Sequence, residues 1–201
     1  MNIAVFFNKA DSLIRSILTT FLTRVMFWLY GATCGKGLRT NGLLYVRVGL
    51  HGKLVIGRNA HINSCRKINP TGSLTKTTLF TWANAEIRIG NNVGLSNNTI
   101  IASQSVTIED NVFLGGGTQI YDTDHHSIIA SYRLNGNSHV PSAPVLIKSD
   151  CFIGADCKIL KGVTIGKGSV IGAGSVVTKD VPDGEIWAGV PAKFIKKVPI
   201  E

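Results

Sequence analysis

The feature that most constrains this chain is an apolar residue at every sixth position. The C-terminal series is Ile147, Ile153, Ile159, Ile165, Ile171 and Val177. Earlier series, separated by shifts of register, are Leu44, Leu50, Ile56, Ile62, Ile68, Leu74 and Phe80; Ile89, Leu95 and Ile101; and Ile108, Leu114 and Ile120. Neither a helix, with a period of about 3.6 residues, nor a half-buried strand, with a period of two, produces this spacing. A fixed internal repeat indicates a solenoid, whose coils bury their apolar residues only against neighbouring coils.

The residues between the aliphatic positions complete the repeat. Glycine directly follows several of them, as in Ile153-Gly154, and can adopt corner geometry that other residues resist. Four residues after each member of the C-terminal series stands a small or β-branched residue: Cys151, Cys157, Val163, Ser169, Ser175 and Val181. Two inward positions in six residues predict one short strand, and three such strands close a triangular coil. The two cysteines of this set then point into the core from different faces, so we expect buried thiols and no disulfide.

Length and charge limit the possibilities further. A chain of 201 residues is long enough for one domain with a complete core. The formal net charge of +9 suits an anionic partner, such as a phosphate-bearing cofactor, a nucleic acid or an acidic membrane surface. Arg15 and Arg24 interrupt the best candidate for a membrane span, and no cleavable signal peptide is visible. The four cysteines have no zinc-type spacing, so we expect reduced thiols and a cytoplasmic protein.

The C-terminal part of the chain carries a family resemblance. Two features resemble the left-handed parallel β-helix acyltransferases: the hexads [LIV]-G-x4, and the segment IGADCKILKGVTIGKGSVIGAGSVVTKDVPDGEIWAGVPAKFIKKV over 153–198. Within that family the chain looks most like the galactoside, maltose and nodulation-type O-acetyltransferases. The likeness covers residues 44–198, and AGVPAK is among its most diagnostic pieces. It implies a mainly β, left-handed hexapeptide solenoid, a homotrimer with sites between subunits, and acetyl-CoA as the acyl donor.

We predict three regions: an N-terminal helical segment over 1–42, the β-helix over 43–186 with an excursion loop at 127–144, and a tail over 187–201. Apolar pairs recur at helical spacing in the segment DSLIRSILTTFLTRVMFWLY over 11–30. We expect this helix to cover the open first coil or to pack against another subunit, because an uncapped solenoid exposes strand edges. The alternative is a peripheral membrane anchor, which suits a lipid-linked acceptor.

The repeat stops after Ile120, where the segment YDTDHHSI begins at residue 121. The resemblance places the catalytic histidine at this exit into the loop. An imidazole can accept the proton of a sugar hydroxyl that attacks a thioester and pass it to the departing thiolate. Asp124, or Asp122, can fix the tautomer of the imidazole. Matching the family's D-x-D-x-H-[SP] selects His126, whereas counting hexads without a gap selects His125; we take His126 as the base. Without the family, a solvated histidine pair in a turn is the preferred interpretation.

The resemblance also implies binding residues. Asn97 lies near the place of an acceptor-binding asparagine, and Arg133 stands where relatives carry an arginine, so we assign both to the acceptor side. The simpler interpretation of Asn97 is an asparagine in an ordinary corner turn. The simpler interpretation of the lysines in the C-terminal coils is a solvated basic face. Six positions match cofactor contacts, namely Ala155 and Ala173 on the pantetheine arm, Thr178 and Lys179 at the adenosine end, and Lys193 and Lys196 at the phosphates. The last two are arginines in the family, and lysine offers a point charge where arginine offers a bidentate fork.

These observations predict an acetyl-CoA-dependent O-acetyltransferase that acts on a sugar or a polysaccharide or lipopolysaccharide precursor. An N-acetyltransferase for an amino sugar, a serine- or antibiotic-type acetyltransferase and a non-enzymatic basic scaffold remain alternatives. A zinc-dependent carbonic anhydrase uses the same solenoid, but the five histidines lack the expected i,i+5 pair, so we predict no metal site. No interleaving of aromatic and basic residues points to a nucleic-acid partner.

Overall fold

The computed structural model describes residues 3–65 and 75–199, with side chains from residue 13 onward. A long helix, α1 (Ile3–Leu29), precedes a left-handed parallel β-helix of three sheets. The predicted fold class, a mainly β hexapeptide solenoid with an N-terminal helix and an excursion loop, is confirmed. Ile68 and Leu74 of the predicted series lie outside the described residues.

Six coils, each of three short strands, stack along the described part of the chain. Coils 1 to 3 comprise β1 (Thr33–Cys34), β2 (Arg39–Asn41) and β3 (Tyr45–Val48); β4 (Lys53–Ile56), β5 (His61–Asn63) and β6 (Thr78–Thr81); and β7 (Glu86–Ile89), β8 (Gly94–Ser96) and β9 (Thr99–Ala102). Coils 4 to 6 comprise β10 (Ser105–Ile108), β11 (Phe113–Leu114) and β12 (Gln119–Tyr121); β13 (Val145–Ile147), β14 (Phe152–Ile153) and β15 (Lys158–Ile159); and β16 (Thr164–Ile165), β17 (Val170–Ile171) and β18 (Val176–Val177). A hairpin of β19 (Glu185–Gly189) and β20 (Ala192–Lys197) follows.

Corresponding strands of successive coils pair in parallel and form three faces. Sheet A contains the first strand of each coil, sheet B the second and sheet C the third. We name the corners after the sheets that they join, so each coil passes corners A–B, B–C and C–A in that order. The excursion loop, with the short helix α2 (Ala130–Leu134), leaves coil 4 at corner C–A.

The core follows the predicted period most closely in coils 5 and 6. There the six aliphatic residues from Ile147 to Val177 are all 0% exposed. Three earlier members of the series instead face outward. Leu50 is 73% exposed in a tight corner, and Phe80 and Ile101 lie beside the buried Leu79 and Ile100.

The shift at Ile101 has a local cause in corner B–C of coil 3. The side-chain oxygen of Asn98 accepts a hydrogen bond from the Ser96 N–H and closes a turn that is one residue shorter than the usual corner. The next inward residue after Leu95 is therefore Ile100. The buried asparagine also donates to the Gly115 carbonyl of the following coil at 2.8 Å, which ties the two coils together.

The two core cysteines behave as predicted. Cys151 and Cys157 are buried and free, and each thiol donates to a carbonyl of the next coil, Gly166 at 3.0 Å and Gly172 at 3.1 Å. Burial raises the pKa of Cys151 to about 11. A thiol that keeps its proton at neutral pH is a poor nucleophile, so these cysteines are structural.

Helix α1 covers the first coil with a row of threonines and, near its C-terminal end, with the buried Phe27. The hydroxyl of Thr19 donates to the Thr40 carbonyl at 2.7 Å, and the hydroxyl of Thr20 accepts from the Thr40 N–H at 2.8 Å. Thr40 belongs to β2, the N-terminal edge strand of sheet B, whose backbone groups need partners. The capping role is confirmed, while the apolar side of the helix faces away from the solenoid.

The ends of the solenoid lie outside the predicted bounds of 43–186. The first coil begins at Thr33, because β1 and β2 already pair with β4 and β5. At the other end, β19 pairs in parallel with β17 and antiparallel with β20, where we predicted a tail from residue 187. Within the residues that the structure describes, no helix has the length and apolarity to cross a membrane.

Candidate active site

The excursion loop begins at Asp122, earlier than the predicted residue 127. Its two ends are joined at the base, because the Asp124 N–H donates to Pro141 at 3.1 Å and the Ala143 N–H donates to Asp122 at 2.9 Å. Thr123 and Ser142 form an antiparallel bridge between these contacts. The histidine pair therefore stands on a closed neck and not on an open strand end.

The side chain of Asp122 joins this neck to the preceding coil. Its side chain is fully buried, and its two oxygens accept hydrogen bonds from the backbone N–H groups of Ser103 at 2.7 Å and Gln104 at 2.6 Å. Loss of hydration raises the pKa of the Asp122 carboxyl, and the backbone donors partly offset this effect. The carboxylate thus holds corner C–A of coil 3 against coil 4, which is a structural role.

His125 lies at the mouth of a small cavity. Its ring contacts Tyr121 edge-on, with the ring centroids 5.4 Å apart, and its backbone has a left-handed φ of 61°. The cavity measures about 240 Å³ and is also lined by Trp82, Ser103, Thr123, Asn137, Val140 and Ser142. The half-buried imidazole is therefore packed within its own chain.

His126, by contrast, is exposed, and its backbone is fixed on both sides. The side-chain amide of Asn137 donates to the His125 carbonyl at 2.9 Å and accepts from the Ser127 N–H at 3.0 Å. Arg133 donates to the Ser127 carbonyl at 2.6 Å. The contacts hold the backbone around His126 while its imidazole remains open to a ligand or another subunit.

Asp124 contacts a lysine of the next coil. Its Oδ1 lies 2.7 Å from Nζ of Lys161, and both side chains are about one-third exposed, at 31% and 32%. In the single chain this carboxylate is thus engaged in an ion pair, and a role in orienting the imidazole remains a hypothesis. The ion pair joins the loop to corner C–A of coil 5.

The predicted cofactor residues divide between two corners. Ala155 and Ala173 occupy equivalent places at corner B–C of coils 5 and 6, where the Gly174 N–H donates to the Ala155 carbonyl at 2.8 Å. Lys193 pairs with Ala188, which lies beside Gly172 at the start of the same corner.

The other predicted cofactor residues lie elsewhere. Thr178 and Lys179 follow β18 at corner C–A, and Lys196 is exposed farther along β20. Within one chain, the width of sheet C therefore separates Ala155 and Ala173 from the histidine pair.

Asn97 lies at corner B–C of coil 3, on the same edge as Ala155. It is buried, has a left-handed φ of 51°, and its N–H donates to the Asn63 carbonyl at 2.8 Å. The structure therefore places it on a different corner from His126 and gives it a turn-forming role. Arg133 lies in the loop beside His126.

A groove on the outer face of sheet B was missed by the sequence analysis. It measures about 370 Å³ and extends across sheet B from corner A–B, where Asn59 and Asn92 lie, to corner B–C. Gly94 opens it, because a side chain at this position would meet the ring of Phe113. Its lining includes His61, Asn63, Asn59, Asn92, Ser96 and Phe113. The signal in the sequence is the pair His61 and Asn63, two polar residues on either side of the inward-facing Ile62. This spacing places both side chains on the outer side of the same strand.

The polar end of this groove is hydrogen-bonded. The amide of Asn41 donates to Nε2 of His61 and to the side-chain oxygen of Asn63, both at 3.0 Å. Desolvation of the ring and the positive charge of Arg39 lower the pKa of His61. A neutral ring that accepts at Nε2 keeps its proton on Nδ1.

Comparison with known proteins identifies the family. The model of the bacterial transferase hexapeptide, six repeats, matches residues 144–179. Galactoside O-acetyltransferase of Escherichia coli strain K12 is 33% identical over 164 residues, which cover 81% of this chain and 79% of the relative. The chain belongs to the hexapeptide-repeat acetyltransferases. The predicted enzyme class, an acyltransferase, is confirmed by this membership.

Solved structures of hexapeptide-repeat acetyltransferases share the fold. A galactoside acetyltransferase in complex with coenzyme A is 26% identical, with a TM-score of 0.56 over 88% of this chain and 70% of that chain. The polySia-specific acetyltransferase NeuO is 27% identical, with a TM-score of 0.58 over 85% of this chain and 83% of that chain. A coenzyme A complex in one of these structures agrees with the predicted acyl donor.

Within residues 3–65 and 75–199, no three His, Cys, Asp or Glu side chains converge as a metal site requires. The candidate site of this hexapeptide-repeat acetyltransferase comprises the histidine pair, lysines of the C-terminal coils and hairpin, and the groove on sheet B.

Proposed function

We propose that this protein transfers an acetyl group from acetyl-CoA to a hydroxyl of a sugar or of a polysaccharide or lipopolysaccharide precursor, in the cytoplasm, with His126 as the general base. The observation that carries the proposal is an exposed imidazole whose backbone is held on both sides at the neck of the loop. The relationship to a galactoside O-acetyltransferase supports a sugar hydroxyl as acceptor. Free thiols at all four cysteines agree with a cytoplasmic location.

The chemistry requires one proton acceptor and no covalent enzyme intermediate. The acceptor oxygen attacks the thioester carbonyl while its proton moves to the imidazole of His126. The tetrahedral intermediate then collapses, the carbon–sulfur bond breaks, and the imidazolium returns the proton to the departing thiolate. Histidine suits both steps because its pKa lies near neutral pH.

The separation of the cofactor residues favours a site shared between subunits. Thr178 and Lys179 are assigned to the adenosine end at corner C–A, and Ala155 and Ala173 to the pantetheine arm at corner B–C. The thioester would then lie on the far side of sheet C from the His126 of the same chain. A cyclic homotrimer can bring corner C–A of one subunit against corner B–C of the next. In a ring, each subunit makes the same contact, between two different patches, with the subunit that follows it.

The groove on sheet B suits the acceptor. The side-chain NH₂ groups of Asn59, Asn63 and Asn92 can donate to sugar hydroxyls beside their bonds within the asparagine rows, and the ring of Phe113 offers an apolar face. The groove borders corner B–C, where the thioester is expected. Asn97 and Arg133 remain candidates for further acceptor contacts, and Lys193 and Lys196 for the cofactor phosphates.

The first experiment compares the two histidines. Purified protein is incubated with acetyl-CoA and a panel of sugars, nucleotide sugars, amino sugars and serine, and CoA release is followed by chromatography. We expect sugar-dependent release that falls by about 100-fold or more in His126→Ala and by less than about tenfold in His125→Ala. Unchanged transfer in His126→Ala would remove it as the base. Transfer only to amines would exclude O-acetylation.

The second experiment tests the shared site. His126→Ala protein and Ala173→Trp protein are each expected to be inactive. If one site combines both residues from different subunits, unfolding and refolding the two variants together restores activity, to about a quarter of the wild-type rate for a random mixture. No recovery in mixed trimers would show that each site belongs to a single chain. Refolded wild-type protein is the control.

A further inference from the structure

Helix α1 packs with its threonines toward the solenoid and with most of its apolar side chains toward the outside. Thr23 is fully buried with its hydroxyl 3.3 Å from that of Thr40, and Thr19 is 7% exposed. The side of the helix that contacts the solenoid therefore carries threonines, whose hydroxyls satisfy the edge strand, together with the buried Phe27 near its C-terminal end. This leaves the opposite side to carry the apolar residues.

The outer side of the helix is apolar along most of its described length. Trp28 is 78% exposed and Phe21 is 62% exposed. A single exposed leucine is ordinary on a protein surface, but a continuous face of this kind marks an interaction site. The exposed apolar face comprises Leu13, Ile14, Ile17, Leu18, Phe21, Leu22, Val25, Trp28 and Leu29.

The charge around this face is predominantly positive, because Asp11 is the one acidic residue before Glu86. Residues 12–85 contain no Asp or Glu, while they hold ten Lys and Arg residues. Arg24 contacts the Gly35 carbonyl beside the helix, and Arg39 lies on the neighbouring strand β2. The acidic residues are concentrated in the second half of the chain, where ten of the twelve occur. The positive charge of the protein is thus concentrated at the end that carries the apolar helix.

We propose that helix α1 docks this protein on a membrane surface rich in anionic lipid, with the helix lying in the plane of the interface. An exposed apolar face next to cationic side chains is the pattern of interfacial helices, in which hydrophobic burial and attraction to acidic headgroups act together. The helix does not qualify as a membrane span. This proposal does not depend on the acetyl-transfer reaction.

Charge complementarity favours lipid over a second copy of the chain. A symmetric contact between two copies of this face would bring two basic ends together, with no carboxylate in residues 12–85 to neutralise them. Anionic headgroups supply that neutralisation, and the acyl region accepts the apolar side chains.

The test uses the full-length protein and sedimented vesicles. The vesicles contain phosphatidylcholine alone or with about 30% phosphatidylglycerol. We expect binding to the mixed vesicles only, weakened by raising NaCl from about 0.1 to 0.5 M. The double variant Phe21→Ser/Trp28→Ser should bind at least about tenfold more weakly. Phe152→Ser, which removes a phenylalanine that is 52% exposed on sheet B, should bind like the wild type.

Two controls separate lipid docking from other causes. Circular dichroism melting must show that the double variant keeps its fold, and light scattering compares its mass with that of the wild type. Absent binding to anionic vesicles, or equal binding by a folded double variant, would overturn the proposal. A smaller mass for the double variant would also overturn it, because the face would then be a contact between copies.

Discussion

The side-chain amide of Asn137 bonds to the backbone on both sides of His126. It donates to the carbonyl of the preceding residue at 2.9 Å and accepts from the N–H of the following residue at 3.0 Å. A side-chain amide can donate from its NH₂ group and accept at its oxygen at the same time. Asn137 is therefore a positioning residue for the proposed base, since the imidazole can be placed only as precisely as the backbone that carries it.

Replacing Asn137 with alanine should lower the rate without preventing cofactor binding. We expect kcat to fall by about 10- to 100-fold, because a displaced base loses its alignment with the acceptor oxygen. KM for acetyl-CoA should change by less than about threefold. The Asn137→Asp variant keeps the acceptor and loses the donor. Its kcat should lie between that of the wild type and that of Asn137→Ala.

Asn135→Ala is the matched control for this loop. Asn135 is exposed two residues away, and its backbone N–H donates to Ser131 at 3.1 Å. Wild-type rates for Asn137→Ala, or equal losses in both variants, would show that the contact to the backbone beside His126 has no specific role. Steady-state kinetics at saturating acetyl-CoA gives the comparison.

Asp122→Asn should destabilise the fold. The carboxylate accepts from two backbone N–H groups, whereas an amide would turn its own NH₂ toward one of them. We expect a loss of about 1–3 kcal/mol in the free energy of unfolding, measured in urea. Asp156→Asn is the control, because Asp156 is exposed at a corner with a φ of 55°, which asparagine tolerates. Similar values for the two variants would argue against a specific role of the buried carboxylate.

Gly168 should accept asparagine better than alanine. It ends a column at corner A–B in which Asn59, Asn92 and Asn111 donate in turn to the next side chain, the last to Asp150 at 2.9 Å. These residues and Gly168, with a φ of 67°, are left-handed, a region where asparagine replaces glycine most readily. Gly168→Ala should cost about 1 kcal/mol, and Gly168→Asn less than half of that. Thermal melts that rank the variants in the opposite order would contradict this account.

His61 should make stability depend on pH. Its pKa is lowered in the folded state, chiefly by desolvation and also by Arg39, so the unfolded chain binds a proton more readily. The stabilising effect of the neutral ring is present above the unfolded pKa of about 6.5 and is lost as the pH falls below it. His61→Gln should flatten the decline in unfolding free energy between pH 7.5 and pH 5.5. His51→Asn, at an exposed corner, should leave the slope unchanged. Equal slopes in all three proteins would refute the assignment.

The six-residue period was sufficient to predict the solenoid, because each inward aliphatic residue packs only within its own coil and against the coils directly before and after it. Ile153 and Ile171 are buried as predicted, and so are Cys151 and Cys157. The resemblance carried by the C-terminal hexads led to the correct family for the same reason. A repeat records its packing in the local sequence.

The tertiary structure decided everything that depends on a turn or on an unpaired backbone group. The short turn closed by Asn98 moved Ile101 outward, and the need of Thr40 for hydrogen-bond partners turned the threonines of α1 inward. The contacts of Asn137 around His126 join residues that only the folded loop brings together. Apolar periodicity reports which side chains avoid water, whereas these arrangements follow from satisfying particular N–H and C=O groups, and a one-dimensional pattern does not record where those groups lie.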